Sequence, residues 1–444
     1  MSTKEAMAPE TLFGRGVHMD TPSKIQDIIV PDNDRKRGTI IFGTTGVGKT
    51  RLAENIIEQD IKKGMSVIYF DPKGDQEIFS KVVNVADKAG RLSEVMLVTP
   101  IYPEYSAMVD PLSHYYMPDE IVGHIVSGIE TGKEPFFRNV AKEITTAVVL
   151  ALILLNKKDK RAERLNIDKI RRSITVNEIK KLIDGLRSEG TPEAERIAGM
   201  LEQIHDSGQD YYNKVSSSLR VALTDLSFGN VGKIIGTADS NRFIDRLEKS
   251  KGVIMVVHTG SLLTRDAAQT LGKVLLSMVQ SFVGRVYMSK KQAVKGGLSV
   301  HIDEAQSLLY HGFEEIPAKA GSANVMLTLY AQSVNQIFDA VGDLKGRSIL
   351  DNINTKLFLR CADVETSKYV SEHFGTKKRL TGIYGNSTIT TRETEEEALK
   401  VTDILDLEPR EFYMMTYKGR YKGKSITSSP VDVRITFPEA PTWQ

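Results

Sequence analysis

At 444 residues, with 41% hydrophobic and 26% charged content, the chain has the composition of an ordinary globular protein and length for two or three domains. A net charge of +2 excludes any function argued from bulk electrostatics, so nucleic-acid contacts would have to come from local basic patches. The lone Cys361 excludes an internal disulfide framework and a multi-cysteine zinc site and fits a reducing compartment, while the eight histidines show no metal-ligand spacing.

Residues 1–37 read as a polar, irregular N-terminal segment interrupted by Pro9, Pro22 and Pro31, with no apolar signal core in 1–20. Gly14-Arg15-Gly16 within it is too short to carry a mechanism by itself. An α/β pattern then begins: a strand at 38–43, a glycine-rich loop, a helix at 49–63 stopped by Gly64, and a strand at 66–71. The loop Gly43-Thr44-Thr45-Gly46-Val47-Gly48-Lys49-Thr50 satisfies G-x-x-x-x-G-K-[ST] at every fixed position. Its glycines let consecutive backbone N–H groups turn inward around a phosphate without a Cβ in the way. Lys49 supplies a compact positive charge for the β- and γ-phosphates, and the Thr50 hydroxyl can ligate Mg²⁺. The run 43–50, with Arg51 after it, is the expected ATP-binding set.

Asp71-Pro72-Lys73-Gly74-Asp75 closes the second strand, where carboxyl ends face the ligand crevice. These charges read either as site neighbours or as a solvated turn. A helix leads to a strand at 95–99, and residues 38–117 form the first part of the core. From 118 to 227 the pattern changes to long amphipathic helices, an all-α domain inserted into the core. Its most apolar run, 144–155, falls short of the roughly 20 residues that span a bilayer and reads as a buried helix. Gly132-Lys133 is no second phosphate loop, because Gly128 lies one residue too close and Glu134 replaces the hydroxyl. Basic runs at Lys157, Lys158, Lys160, Arg161 and Arg164, and at Lys169, Arg171 and Arg172, read as solvated faces.

Residues 228–444 resume the core with a strand at 252–257, a helix at 265–288 and a strand at 298–304. The last ends in Asp303-Glu304. Asp303 is placed to hold the Mg²⁺ shell, and Glu304 to take a proton from attacking water, which makes the reaction a hydrolysis. His301, two residues earlier, reads as a packed core histidine. A strand at 323–330 leads to Gln332-Ser333, either an amide sensing the γ-phosphate or a helix start capped by Ser333. A strand at 355–360 ends in Arg360. The end is β-rich, with a hairpin at 417–424 whose lysines, arginine and tyrosines suit single-stranded nucleic acid, although a plain solvated hairpin is the commoner outcome.

The chain resembles the cytoplasmic part of type IV secretion coupling proteins, the TraD-like conjugative DNA-translocating ATPases of the HerA/FtsK superfamily. The matching stretches are Gly14-Arg15-Gly16, GTTGVGKTRLAE at 43–54, FDPKGD at 70–75, HIDEAQSLLY at 301–310, ANVMLTLYAQSVNQI at 323–337, DNINTKLFLRCADVETSKYVSEHFG at 351–375, and Thr390-Thr391-Arg392-Glu393-Thr394. The resemblance implies a RecA-like P-loop NTPase core with an inserted all-α domain, ATP and Mg²⁺ as cofactors, and assembly as a hexameric ring. It implies passage of DNA, with a relaxase or relaxosome, to a type IV secretion channel, and ATPase roles for Lys49, Thr50, Asp303, Glu304 and Gln332. Such proteins usually carry transmembrane helices ahead of the core, and none is visible here. The expected location is therefore cytoplasmic, peripheral at the inner membrane through partners. Relatives also often have an arginine before the sensor strand to serve a neighbour's nucleotide, whereas 318–322 reads Ala-Lys-Ala-Gly-Ser and offers only Lys319. Arg360, at a strand end, is the expected catalytic cation, with Arg347 in the Gly-flanked loop Lys345-Gly346-Arg347 as second candidate. Two other readings stay open: a ring translocase serving DNA processing or defence, and a nucleotide-dependent docking platform for protein substrates.

Overall fold

The computed structural model describes residues 9–21, 24–129, 135–158, 163–236, 238–260, 265–289, 294, 296–384 and 389–438. Gly132, Lys133, Glu134, Lys160 and Arg161 lie outside them. Before the phosphate loop, where the sequence suggested irregular chain, stand two strands, β1 (Glu10–His18) and β2 (Gln26–Pro31). The glycines that read as breakers are what lets β1 pair. A Cβ on Gly16 would lie 2.0 Å from the Lys422 carbonyl oxygen, and one on Gly14 would lie 2.4 Å from that of Lys424.

The seven expected parallel strands all form: β3 (Thr39–Phe42), β4 (Ser66–Asp71), β5 (Val95–Val98), β6 (Ile254–His258), β7 (Leu298–Ile302), β8 (Val325–Ala331) and β9 (Thr355–Phe358). They are apolar almost without interruption because helices cover both faces. Alternation sorts their side chains. Ile40, Phe42, Ile68 and Phe70 face the core shared with the inserted helices. Ile41, Val67 and Tyr69 face the phosphate-loop helix (Lys49–Lys62) and the helix Gln76–Lys88. A two-stranded ribbon, β10 (Thr376–Tyr384) with β11 (Ile389–Glu397), stands apart from the sheet. The chain returns as a hairpin, β12 (Glu411–Thr416) and β13 (Gly419–Ser425), pairing antiparallel on β9 and carrying β1 and β2 at the edge. The sheet of eleven strands runs β2-β1-β13-β12-β9-β3-β8-β7-β4-β6-β5.

Between β5 and β6 the regular elements described from Pro118 to Glu248 are helices, the last of them, Arg242–Glu248, lying past the expected limit at 227. The apolar run lies in a continuous helix, Pro135–Lys158, of which Phe136–Lys157 is by length and composition long and apolar enough to cross a membrane. Its residues Ala141, Ile144, Ala147, Val148, Ala151 and Leu152 are nevertheless buried against protein. Arg164 reaches Asp110 at 2.7 Å, and Arg171 and Arg172 pair with Asp168, so these parts of the basic runs are neutralised within the fold.

A buried network joins β1 and the phosphate-loop helix to β7 and β8. Arg35 makes a bidentate pair with Asp60 at the end of the phosphate-loop helix (2.6 and 2.8 Å) and donates to Ser299 of β7 at 3.3 Å. Thr11 of β1 and Lys63 both donate to Asp32. His301 bonds Ser299 and the Tyr330 hydroxyl at 2.9 and 3.0 Å, and burial lowers its pKa, so it sits there as a neutral core residue.

After β13, residues 426–438 run without regular structure across the outer face of the phosphate-loop helix and its neighbour. Ser428 donates to Glu54, the Ser429 amide to Glu58 at 2.9 Å, and the Ile435 amide to Ser80 at 2.9 Å, while Phe437 stacks on Tyr102 at 4.8 Å. Glu58 is buried between this segment and Lys81, 2.7 Å away. Burial alone would raise its carboxyl pKa, but Lys62, Lys81 and Ser429 outweigh that and bring it from 4.5 to about 2. A depressed carboxylate contributes stability that is whole above its unfolded pKa and is lost as pH falls toward its folded one. Thermal unfolding midpoints followed from pH 4.5 to about 2 should therefore decline less steeply in Glu58→Gln than in the wild type. Parallel declines would remove Glu58 from the acid response.

Candidate nucleotide site

Parallel pairing places the carboxyl ends of β3, β8, β7 and β4 side by side, with Phe42 opposite Ala331 and Ile302 opposite both Leu329 and Phe70. The phosphate loop, Gln332, the Asp303-Glu304 pair and Lys73 therefore arrive together. The loop is anchored by its backbone. The Gly43 amide donates to the Ala331 carbonyl at 3.2 Å, the Thr44 amide to that of Arg360 at 2.9 Å, and the Arg410 amide to that of Val47 at 2.9 Å. Gly48, at φ +107°, makes the turn that a side chain would strain. Thr45 and Gly46 form the exposed crest, and the helix starts at Lys49 and Thr50 with its N-terminus toward the loop.

The Lys49 ammonium donates to the carbonyls of Gly43 and Thr44 at 2.5 and 3.0 Å. Burial lowers its pKa, and the carboxylates of Asp303 and Glu304 oppose that. Asp303 is almost fully buried, and its Oδ1 accepts the Glu304 amide at 2.9 Å. Burial raises its pKa, and nearby Asp71 adds to the rise while Lys73 works against it. Glu304 sits in the left-handed region at φ +45°, a conformation that costs a non-glycine residue about 1–3 kcal/mol and is found at working sites. That turn presents its carboxylate to three donors: Lys73 at 2.8 Å, Gln306 at 2.7 Å and the Gln332 amide at 3.1 Å. Burial alone would raise the Glu304 pKa, but the lysine and the two amides hold it below the usual range, so the group is an ionised base.

Other expected residues take different places. Of the two readings of Gln332-Ser333, the cap is observed, Ser333 accepting the Gln336 amide, while the Gln332 side chain donates to Glu304. Of Asp71, Lys73 and Asp75 at the end of β4, Lys73 alone reaches the Glu304 carboxylate. The Asp71 carboxylate accepts the amides of Lys73 and Asp75, and that of Asp75 caps a helix through the Glu77 amide. Arg51 pairs with Glu54 at 2.9 Å and Glu77 at 3.1 Å along the helix surface. The exposed Arg360 lies two residues beyond β9, and its carbonyl rather than its side chain touches the loop. Arg347 is helical, within Asp343–Asp351, and lies over the Phe338 ring at 5.4 Å, so the loop reading of 345–347 is corrected. Gly346 misled, because it serves close packing on Phe338 and not a turn. Lys319 pairs with Glu315 on the surface. Gln306 was marked only as part of the resembling stretch 301–310 and Arg410 had no signal in the sequence, since such residues acquire a role only from what the fold brings opposite them.

The family described as "Helicase HerA, central domain" matches residues 24–279, more than half of the chain, and "TraM recognition site of TraD and TraG" matches 298–409. A relative from Legionella pneumophila, the type 4 coupling protein DotL, is 20% identical over 439 residues, covering 86% of this chain and 56% of that protein's length. Among solved structures, the conjugative coupling protein TrwBdeltaN70 in its unbound form superposes with a TM-score of 0.70 at 16% identity, covering 97% of this chain and 98% of the other. TrwB in complex with ADP and Mg²⁺ gives 0.67 at 16% identity over 96% and 97%. VirB4 of Thermoanaerobacter pseudethanolicus gives 0.52 at 13% identity over 94% and 97%. The fold is thus the TrwB type, a P-loop NTPase core with a helical domain.

The charge arrangement has a pH signature. Lys73→Met removes the cation that holds Glu304 low, and burial then raises the carboxyl, so the acid limb of the turnover–pH profile should move to higher pH with the alkaline limb in place. Glu304→Gln should bind ATP with near-native affinity and lose turnover by about 10²-fold or more. An unmoved acid limb in the first variant, or undiminished steady-state turnover in the second, would remove the pair from the chemistry.

Proposed function

The chain belongs to the HerA helicase central-domain family, in the branch of the type IV coupling proteins, and on that premise we propose that it is an ATP-hydrolysing motor that delivers DNA to a type IV secretion channel. The observation that carries the reading is the ionised Glu304, held by Lys73 and Gln332 beside a complete phosphate loop. Lys49 would leave the Gly43 and Thr44 carbonyls for the β- and γ-phosphates of ATP. The Thr50 hydroxyl and Asp303 suit Mg²⁺. Asp303 is a buried carboxylate whose pKa is raised by burial and by Asp71, and a bound cation would favour its ionised form while neutralising charge on the transferred phosphoryl group. Among the described residues no group of three or more His, Cys, Asp or Glu could hold a metal ion, so the phosphates would complete the shell. Glu304 orients the attacking water and takes its proton, and Gln332, bonded to Glu304, feels the γ-phosphate leave.

DNA, a relaxase and the secretion machinery are the proposed partners, with the chain cytoplasmic and held peripherally at the inner membrane by them. The assembly would be a homo-hexameric ring with the nucleotide between subunits, the exposed Arg360 being the side chain offered across the boundary. The chain spans about half the length of DotL, so these assignments apply to the motor part.

ATP turnover per subunit should rise with protein concentration and on adding DNA, and DNA binding should weaken as salt increases because phosphate neutralisation releases counterions. Turnover flat across dilution and DNA addition would overturn the ring-motor reading. Arg360→Ala should lower turnover at least about tenfold with ATP binding nearly intact, and mixed rings with Lys49→Ala subunits should regain part of it. Near-normal turnover in Arg360→Ala would discard that arginine. Relaxase capture by the full chain separates conjugative delivery from a motor in DNA processing or defence.

A further inference from the structure

Arg410 holds the phosphate loop from a part of the chain that the nucleotide reading leaves unexplained. It follows β11 and begins the β12–β13 hairpin, far in sequence from the loop. Its backbone is in the left-handed region at φ +72°, which a glycine would adopt without strain. Its amide donates to the Val47 carbonyl at 2.9 Å, and its own carbonyl accepts the Ser425 amide at 2.9 Å. Its Nη2 donates back to the Ser425 carbonyl at 2.5 Å and to the Thr427 hydroxyl at 3.3 Å. Its methylenes lie on the loop: a Cβ added to Gly48 would meet Arg410 Cγ at 3.1 Å. Beyond Thr427, Ser428 and Ser429 bond Glu54 and Glu58 of the phosphate-loop helix, so the segment that grips Arg410 is fastened to the element that Arg410 serves.

We propose that Arg410 is a positioning residue for nucleotide binding, a latch that orients the Val47–Gly48 peptide toward the phosphates. In a trans peptide the C=O and N–H point in opposite directions. Holding the Val47 carbonyl on the Arg410 amide therefore turns the Gly48 N–H away from Arg410 and toward the loop's inner side, where it is a donor for phosphate oxygen. The guanidinium–Ser425 bond and the contact on Gly48 keep that amide in place. The side chain is what glycine, the unstrained residue for this φ, could not provide. The latch rests on the ATP reading of the loop, but its action on the loop backbone is independent of turnover.

The test uses the full chain and Arg410→Gly, which keeps the backbone N–H, relieves the positive φ and removes only the side chain. The dissociation constant for a fluorescent ATP analogue should rise about tenfold, the size of one lost charge-assisted hydrogen bond. The loss should appear in KM and not in kcat. Amide hydrogen exchange in residues 43–50 should quicken without nucleotide, while the unfolding temperature is held or raised. Arg410→Lys, which keeps the methylenes and one donor for Ser425, should recover most of the affinity and serves as the second variant if the glycine form misfolds. Native affinity together with native exchange in the loop would overturn the proposal, as would an unfolding temperature that falls in step with affinity in both variants. A wild-type chain that fails to bind the analogue would overturn the ATP reading, and the loop's amide exchange would still decide the latch.

Discussion

The hydrogen-bonded register of four parallel strands is the constraint on which the site depends. β3, β8, β7 and β4 are neighbours in that order, and their carboxyl ends stop within a residue or two of one line. Each contributes one component: a loop for phosphate, an amide, two carboxylates and a lysine. None of these could be assembled from within a single segment, because they come from four stretches separated by helices and by the whole helical insertion. The sheet's edge does the gathering, and the helix N-terminus adds its dipole to the same side.

The site then faces the problem of keeping like charges close in a dry place. Asp303 and Glu304 are adjacent in sequence, and the fold treats them differently. Asp303 is sunk at the end of its strand, where burial and nearby Asp71 push its carboxyl up against the pull of Lys73, 3.9 Å away. Glu304 turns through a strained left-handed conformation toward Lys73 and two side-chain amides, and its carboxyl is pushed down. The fold thus drives two adjacent carboxyls in opposite directions, one up and one down.

A second set of buried charges stands at the opposite ends of the same strands. Arg35 and Asp60 neutralise each other there, with Ser299 and the neutral His301 of β7 completing the hydrogen bonds. A buried pair of this kind contributes little net stability and costs much when one partner is removed, so its effect is to define how β1, the phosphate-loop helix and β7 fit together. The terminal segment does the same on the outer face, where Glu58 and Lys81 are closed off beneath Ser429. Both ends of the chain thereby bear on the helix that begins at Lys49.

The local signals in the sequence were enough for the phosphate loop, for all seven parallel strands and for a helical insertion. Apolar runs of the right length and a fixed-spacing glycine motif are properties of contiguous residues. Asp303, Glu304 and Gln332 were legible for the same reason, as polar residues at the ends of apolar strands. What escaped was non-local. β1 reads as broken chain because its glycines are explained only by backbone approach from β13, at the other end of the polypeptide. Lys73 was no better than a turn charge until β4 was seated beside β7. Arg347 looked like a loop residue because Gly346 signals a turn, whereas the ring of Phe338 had claimed that space. Arg410 carried no motif at all. Its positive φ and its hold on Val47 exist only when the hairpin closes over the loop, since a hydrogen bond between distant segments is decided by packing and not by the residues on either side of it.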